Sequence, residues 1–376
     1  MTQSKVFFTN LRTDRGSNLL QKLERLVKQA GIESLGFKDQ YTAIKIHLGE
    51  PGNLAYLRPN YAKVIVDLIK AKGGKAFLTD CNTLYVGRRK NALDHLDAAY
   101  ENGFNPFATG CHVIIADGLK GTDETLVPVH GDYIEQARIG RAVMDADIIV
   151  SMTHFKGHEN TGFGGALKNL GMGCGSQGGK MEMHCNGKPM VRTKKCRSCG
   201  ACIKDCGQDA ISYNPEGKAV IDQTRCVGCG RCLGACHFGA ISVPWDEAND
   251  ILNCKIAEYT KAVVDGRPHF HISFVMDVSP ACDCMSSNDM PIIADVGIFA
   301  SFDPVALDMA CVDAVNQQPA IPGSLLGEKA ETQAEGQGEE ADHFHKLHPE
   351  TNWRICLEHA EKIGLGSRVY ELVEVF

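Results

Sequence analysis

The chain has 376 residues, 44% hydrophobic and 23% charged, with 39 basic and 46 acidic side chains and a net charge of −7. That balance suits a globular protein, and it argues against a nucleic-acid partner or an anionic membrane surface, both of which need a basic face. No stretch approaches the ~18 apolar residues of a membrane span, and residues 1–8 lack the apolar run of a signal peptide, so no membrane span and a cytoplasmic location are expected.

In chain order, residues 43–47 read as a strand, 61–72 as a helix stopped by Gly73 and Gly74, and 75–80 as a second strand. Residues 112–117 and 146–151 are further short apolar runs. Runs of this kind, bounded by polar turns and separated by helices, predict an α/β body with a mostly parallel sheet. Composition turns to glycine over 157–187 and to cysteine over 194–243. Beyond lie a strand over 268–277 and a helix opened by Asp303 as N-cap with Pro304 in its first turn. Residues 324–342, with Glu328, Glu331, Glu335, Glu339, Glu340 and Asp342 among glycines and glutamines, read as an exposed, mobile loop. The expected division is an α/β body over 1–187 and 247–376, with an inserted two-cluster bacterial-type ferredoxin module over 188–246.

Seventeen cysteines in a cytosolic chain of this length read as metal or redox chemistry; the odd count and uneven spacing disfavour a disulfide framework. Eight of them form a repeat. Cys196, Cys199, Cys202 and Cys206 recur thirty residues on as Cys226, Cys229, Cys232 and Cys236, and Ala210-Ile211-Ser212 recurs as Ala240-Ile241-Ser242. Three cysteines at two-residue gaps wrap three corners of a [4Fe–4S] cubane, and the fourth points away to the other cluster. The expected ligand sets are therefore crossed: Cys196, Cys199, Cys202 and Cys236 for one cluster, Cys226, Cys229, Cys232 and Cys206 for the other. Zinc sites more often show two separated Cys-x2-Cys pairs. Gly207 and His237 stand where proline commonly follows the fourth cysteine. Proline is no ligand, so the departure bears on potential rather than on ligation.

The stretches His154 to His158, Gly162 to Cys174, Thr79 to Thr83, Asp277 to Cys284 and Ala294 to Ala306 resemble the domain-of-unknown-function family 362 in its ferredoxin-fused form. The resemblance covers nearly the whole chain. It implies an iron–sulfur protein and names no substrate. The glycine stretch also resembles, faintly, the Gly-Gly-x-Lys segment of nickel-dependent lactate racemases.

A second site is expected in the α/β body. Lys45, His47, Asp80, His154, Lys156, His158 and Lys168 fall at predicted strand ends or in the loops after them, where α/β sheets gather ligands. Gly164, Gly165, Lys168 and Asn169 offer a cofactor- or anion-binding loop, and Lys156, His158 or Lys168 could orient an anionic group or donate protons. The plainer account is turn glycines with surface lysines and partly buried histidines. Cys174, Cys282 and Cys284, with Cys185, are left over; they would make a third metal or cluster site or a reactive thiol pair, or simply pack as hydrophobes. Cys81, Cys111, Cys254, Cys311 and Cys356 read as packing residues. His343, His345 and His348 read as an exposed patch, and His269 with His271 as either a hydrogen-bonded pair or a metal pair. No GxGxxG fingerprint is in a strand context, so no nicotinamide site is expected. A further metal or a flavin stays open.

These features point to an iron–sulfur redox protein that passes single electrons through two [4Fe–4S] clusters to or from a small-molecule or cofactor site in the body. It would work with a redox partner protein and an anionic small molecule. A non-catalytic electron carrier and a cluster-based regulatory or assembly protein are the alternatives.

Overall fold

The computed structural model describes residues 3–333 and 342–376. Eight strands form its central sheet: β1 (Ser4–Asn10), β2 (Tyr41–Ile46), β3 (Lys75–Asp80), β4 (Val113–Ile115), β5 (Ile148–His154), β6 (His269–Val275), β7 (Gly297–Ser301) and β8 (Tyr370–Glu374), in the order β8-β1-β7-β6-β5-β2-β3-β4. All neighbours pair parallel except β7, which runs against both β1 and β6. The sheet is thus mostly parallel, and strands from before and after the cysteine-rich segment share it.

Both faces of the central strands are covered, which is why they read as continuous apolar runs. All of β5 is buried. Side chains alternate between two cores: Ala43, Phe77 and Ile149 enter one, Ile44, Leu78 and Val150 the other. Helices Ala166–Cys174, Asn249–Val264, Pro304–Asn316 and Arg354–Lys362 close the first core, and Leu19–Gln29 and Pro59–Ala71 the second. Asp303 does cap its helix, its carboxylate accepting from Val305 N at 2.8 Å and Ala306 N at 3.0 Å.

The expected loop over 324–342 is corrected in part. Residues Leu325–Gln333 are helical. Ser324 starts the turn, its hydroxyl accepting from Gly327 N at 3.1 Å, and Leu326 anchors it in the core. Composition alone hid one buried leucine behind many polar neighbours. Glu335, Glu339 and Glu340 lie outside the described residues.

The cysteine-rich segment carries two short antiparallel ladders, Met190–Val191 with Ile241–Ser242 and Ile211–Tyr213 with Ala219–Ile221, and the short helices Ala201–Lys204 and Arg231–Ala235. Its apolar cluster includes Ile211, Ile221, Leu233 and Ile241, joined by Leu84, Met181 and Cys185 from outside the repeat. No helix among the described residues is long and apolar enough to cross a membrane.

Candidate functional site

A cavity of about 360 Å³ opens beyond the carboxyl ends of β2, β3 and β5, the end of a parallel sheet where loops converge on ligands. Five lysine or arginine side chains (Lys45, Arg89, Lys156, Lys168 and Lys180) line it, against the carboxylates Asp80 and Glu159. His47, His158 and His184 lie among them. The walls also include the hairpin Lys156–His158/Gly162–Gly164, the helices Ala166–Cys174 and Gln177–His184, and Cys282 and Cys284 from the segment after β6.

Three of the cations are held by buried carboxylates. Lys45 Nζ lies 3.1 Å from Asp80 and donates to Asn169 Oδ1 at 2.7 Å. The Asn169 amide in turn donates to Met152 O and Thr153 Oγ1, both at 3.0 Å. Asn169 therefore positions Lys45 and has little left for a cofactor. Arg89 donates to Glu50 at 2.8 Å and lies 3.6 Å from Asp80. Burial alone would raise the Asp80 carboxyl, but Lys45, His47, His95 and Arg89 hold it well below the usual range. Lys156 lies 3.1 Å from Asp283 and donates to His154 O at 2.8 Å. His154 Nδ1 meets both Asp283 oxygens at 2.9 Å, and its Nε2 meets Met276 O at 2.9 Å. Both ring nitrogens thus face oxygens.

Lys168 and Lys180 make no salt bridge to a carboxylate among the described residues. Lys180 Nζ donates to Gly175 O at 2.6 Å, and Lys168 Nζ sits 3.8 Å from Cys282 Sγ. Burial lowers the Lys168 pKa less than Cys282, Cys284, Glu159 and Asp283 raise it. Burial, then Arg89, pushes His47 well down, and burial, then Lys168 and His158, pushes His184 down to about 3. Those imidazoles are neutral in a cation-rich cavity.

Cys282, Cys284 and His158 present donor atoms all within 4.8 Å of one another. Cys284 N donates to Cys282 Sγ at 3.3 Å. The Cys284 thiol, against the cost of burial, and then Lys168 and His158 bring the Cys282 thiol well below its ordinary range, and Cys284 is raised in consequence. His158 Nδ1 accepts from Asn160 N at 3.1 Å and Thr161 N at 3.3 Å. The neutral ring therefore carries its proton on Nε2, which is left to donate to Cys282.

The expected anion loop is built differently. Gly164 and Gly165 do line the cavity, but the N–H groups of Ala166 and Leu167 go to the buried Asp308, at 2.6 and 3.0 Å. That carboxylate occupies the helix N-terminus where an anion would bind. A Cβ on Gly165 would lie 2.4 Å from Asp308, so this glycine makes room for the cap.

The repeat cysteines surround two smaller cavities. Cys196, Cys199, Cys202 and Cys236 line one; Cys206, Cys226, Cys229 and Cys232 line the other. Backbone N–H groups point at three sulfurs: Ala219 to Cys196 at 3.4 Å, Ala210 to Cys206 at 3.3 Å and Ala240 to Cys236 at 3.2 Å. Burial, then Cys229 and Cys226, pushes Cys232 up to about 12. Thiols so crowded resist ionising together unless a cation joins them. Gly200 and Gly230 adopt φ of 75° and 74°, the left-handed step into each short helix bearing a third cysteine.

Helix Gln177–His184 separates the two regions. Lys180 and His184 line the large cavity, while a Cβ on Gly178 would lie 2.8 Å from Cys229 O and Met181 joins the apolar cluster of the repeat. Leu84 lines the cavity and belongs to that same cluster.

Cys174 joins none of these groups: it is fully buried, with its carbonyl accepting from Cys81 Sγ at 3.3 Å. Cys185 sits in the apolar cluster of the repeat. His269 and His271 are hydrogen-bonded at 2.8 Å, and Ser151 Oγ meets His271 at 2.9 Å. His343 meets Gln318 O and His348 meets Pro280 O, so the three histidines of that stretch do not converge. Glu50, Arg89, Lys180, His184 and Asp283 went unrecognised as site residues in the sequence. Only the i, i+4 pair Lys180 and His184, placed just after the glycine stretch, left a signal there.

Residues 42–313 match the family model described as Domain of unknown function (DUF362). A thylakoid-associated protein of Synechocystis is 25% identical over 124 residues, 33% of this chain and 35% of that protein. The lactate racemase apoprotein of Thermoanaerobacterium thermosaccharolyticum superposes with a TM-score of 0.43 at 12% identity, over 83% of this chain and 57% of that one. A Thermotoga maritima protein gives 0.41 at 12%, over 78% and 58%. The chain spans about a third of the Synechocystis protein and under three fifths of either solved structure.

Proposed function

The chain belongs to the Domain of unknown function (DUF362) family, and from its own site we propose that it is an iron–sulfur redox enzyme acting on a small anionic molecule. In this reading Cys196, Cys199, Cys202 and Cys236 hold one [4Fe–4S] cluster, and Cys226, Cys229, Cys232 and Cys206 the other. Bound there, the clusters supply two one-electron centres at low potential. The N–H groups of Ala219, Ala210 and Ala240, directed at sulfur, support thiolate ligation over free thiols. Electrons come from or go to a one-electron carrier protein.

The observation that carries the reading is the shared wall. One helix, Gln177–His184, turns Lys180 and His184 to the cavity and Gly178 to the second cysteine repeat. Lys168 and Lys180, free of carboxylate partners among the described residues, would bind the anionic group of the substrate. The neutral His47 and His184 offer hydrogen bonds to the substrate without adding charge, since burial and the neighbouring cations disfavour their protonation. Glu50, Asp80 and Asp283 keep the remaining cations in place.

The test is an iron, sulfide, nickel, zinc and flavin inventory of anaerobically purified protein, followed by reduction of the protein and titration with small carboxylates, phosphates and disulfides. Iron and sulfide matching two cubanes, with visible reoxidation by one anionic class, supports the enzyme. Two cubanes that none of these compounds reoxidises would leave an electron carrier. Absence of iron and sulfide would overturn the reading.

A further inference from the structure

Cys282 and Cys284 stand on alternate residues of one segment with their sulfurs within 4.8 Å. Both line the cavity. We propose that Cys282 and Cys284 form a dithiol/disulfide centre that reduces small anionic disulfides, with electrons supplied one at a time through the two four-cysteine sites. The inference rests on the reading above and adds the reacting group and the substrate class.

The surroundings divide the labour between the two sulfurs. Cys282 receives the Cys284 N–H at 3.3 Å, with the Lys168 ammonium 3.8 Å away and the His158 ring within 4.8 Å. That is the electropositive, hydrogen-bonded setting of an attacking thiolate. Cys284, with its thiol kept protonated beside that thiolate, is suited to resolve the product. The same three donors could in principle take a soft cation. The Lys168 ammonium, 3.8 Å from Cys282 Sγ, adds a positive charge that favours a thiolate over a second cation at this point.

The step balances as follows. The Cys282 thiolate attacks one sulfur of RS–SR; an S–S bond forms, the substrate S–S bond breaks, and RS⁻ leaves. The Cys284 thiol gives up its proton, and its sulfur attacks Cys282 Sγ. The second RS⁻ leaves with that proton as RSH, and the Cys282–Cys284 disulfide remains. Two electrons, one through each four-cysteine site, and one proton restore the thiolate–thiol pair. The external reductant is a reduced one-electron carrier protein. Lys168 and Lys180 favour a substrate with carboxylates, and about 360 Å³ admits a low-molecular-weight disulfide rather than a folded protein.

Two measurements test this. In the first, the wild-type protein is equilibrated in graded dithiothreitol redox buffers, alkylated and mapped by mass. A Cys282–Cys284 disulfide forming as a two-electron couple is expected. Two thiols that stay free throughout would overturn the inference, whatever the iron content. In the second, the anaerobic, iron-loaded protein is reduced and mixed with 3,3′-dithiodipropionate, with cystamine as the cationic counterpart. Reoxidation with the anionic disulfide at least tenfold faster than with cystamine is expected, and C284S should stop with one 2-carboxyethylthio group in disulfide linkage on Cys282. Equal rates in wild type and C282S would sink the dithiol while leaving the electron relay standing. If the inventory finds no iron, the relay fails and the redox buffers alone decide the pair.

Discussion

Asp283 has no exposed surface, yet it accepts from His154 at 2.9 Å and pairs with Lys156 at 3.1 Å. Burial opposes its charge, and His154 and Lys156 hold its carboxyl below the usual range all the same. Asp283→Asn would leave the buried Lys156 without its counter-charge and His154 without its carboxylate partner. A loss of about 3–5 kcal/mol in denaturant unfolding is expected, with the neighbouring Cys282 displaced and its alkylation slowed. His359 is the other residue with a readable charge. The Cys254 thiol and then the Glu258 carboxylate, 2.8 Å away, raise its pKa to about 9. A histidine raised in the folded state stabilises fully below its unfolded pKa of ~6.5 and loses that contribution as pH rises through the folded value. Stability should therefore fall between pH 6.5 and 9. H359Q should flatten that slope, as pH-dependent urea midpoints would show; an unchanged slope would assign it elsewhere.

At the scale of elements, glycines decide how closely the parts approach. Gly173 lets the Lys45 stem cross helix Ala166–Cys174, since a Cβ there would lie 2.5 Å from Lys45 Cε. Gly178 lets helix Gln177–His184 meet the second cysteine repeat. Its added Cβ would lie 2.8 Å from Cys229 O, a backbone atom that cannot swing aside. Gly178→Ala should cost about 1–3 kcal/mol by overpacking. Hydrogen exchange should quicken over 226–236 while protection of β2 and β5 is unchanged. The sequence marked residues 157–187 as glycine-rich and assigned Gly164 and Gly165 to an anion loop. That reading missed Asp308, which lies far along the chain and takes the N–H groups of Ala166 and Leu167. Local composition cannot say which distant carboxylate fills a helix N-terminus.

At the scale of the molecule, the apolar cluster of the repeat shares no residue with either core of the sheet. If the four-cysteine sites hold metal as proposed, removing it by anaerobic chelation should therefore strip protection from residues 188–246 and leave the eight strands folded, because metal binding supplies folding energy to small metal-bound modules. Calorimetry should split into two transitions; a single cooperative loss would mean that the segment and the sheet fold as one. What the chain determined by itself is periodic or local. The apolar runs that became β2, β3, β5 and β6, the Asp303-Pro304 helix start and the thirty-residue cysteine repeat all follow from patterns a few residues long. What only the tertiary structure decided is which distant side chains meet: Asp283 under His154 and Lys156, Glu50 on Arg89, Lys168 over Cys282, and Cys174 turned into the core. The physical reason is that a buried charge is set by its partner, and a parallel sheet brings that partner from the end of a strand more than a hundred residues away.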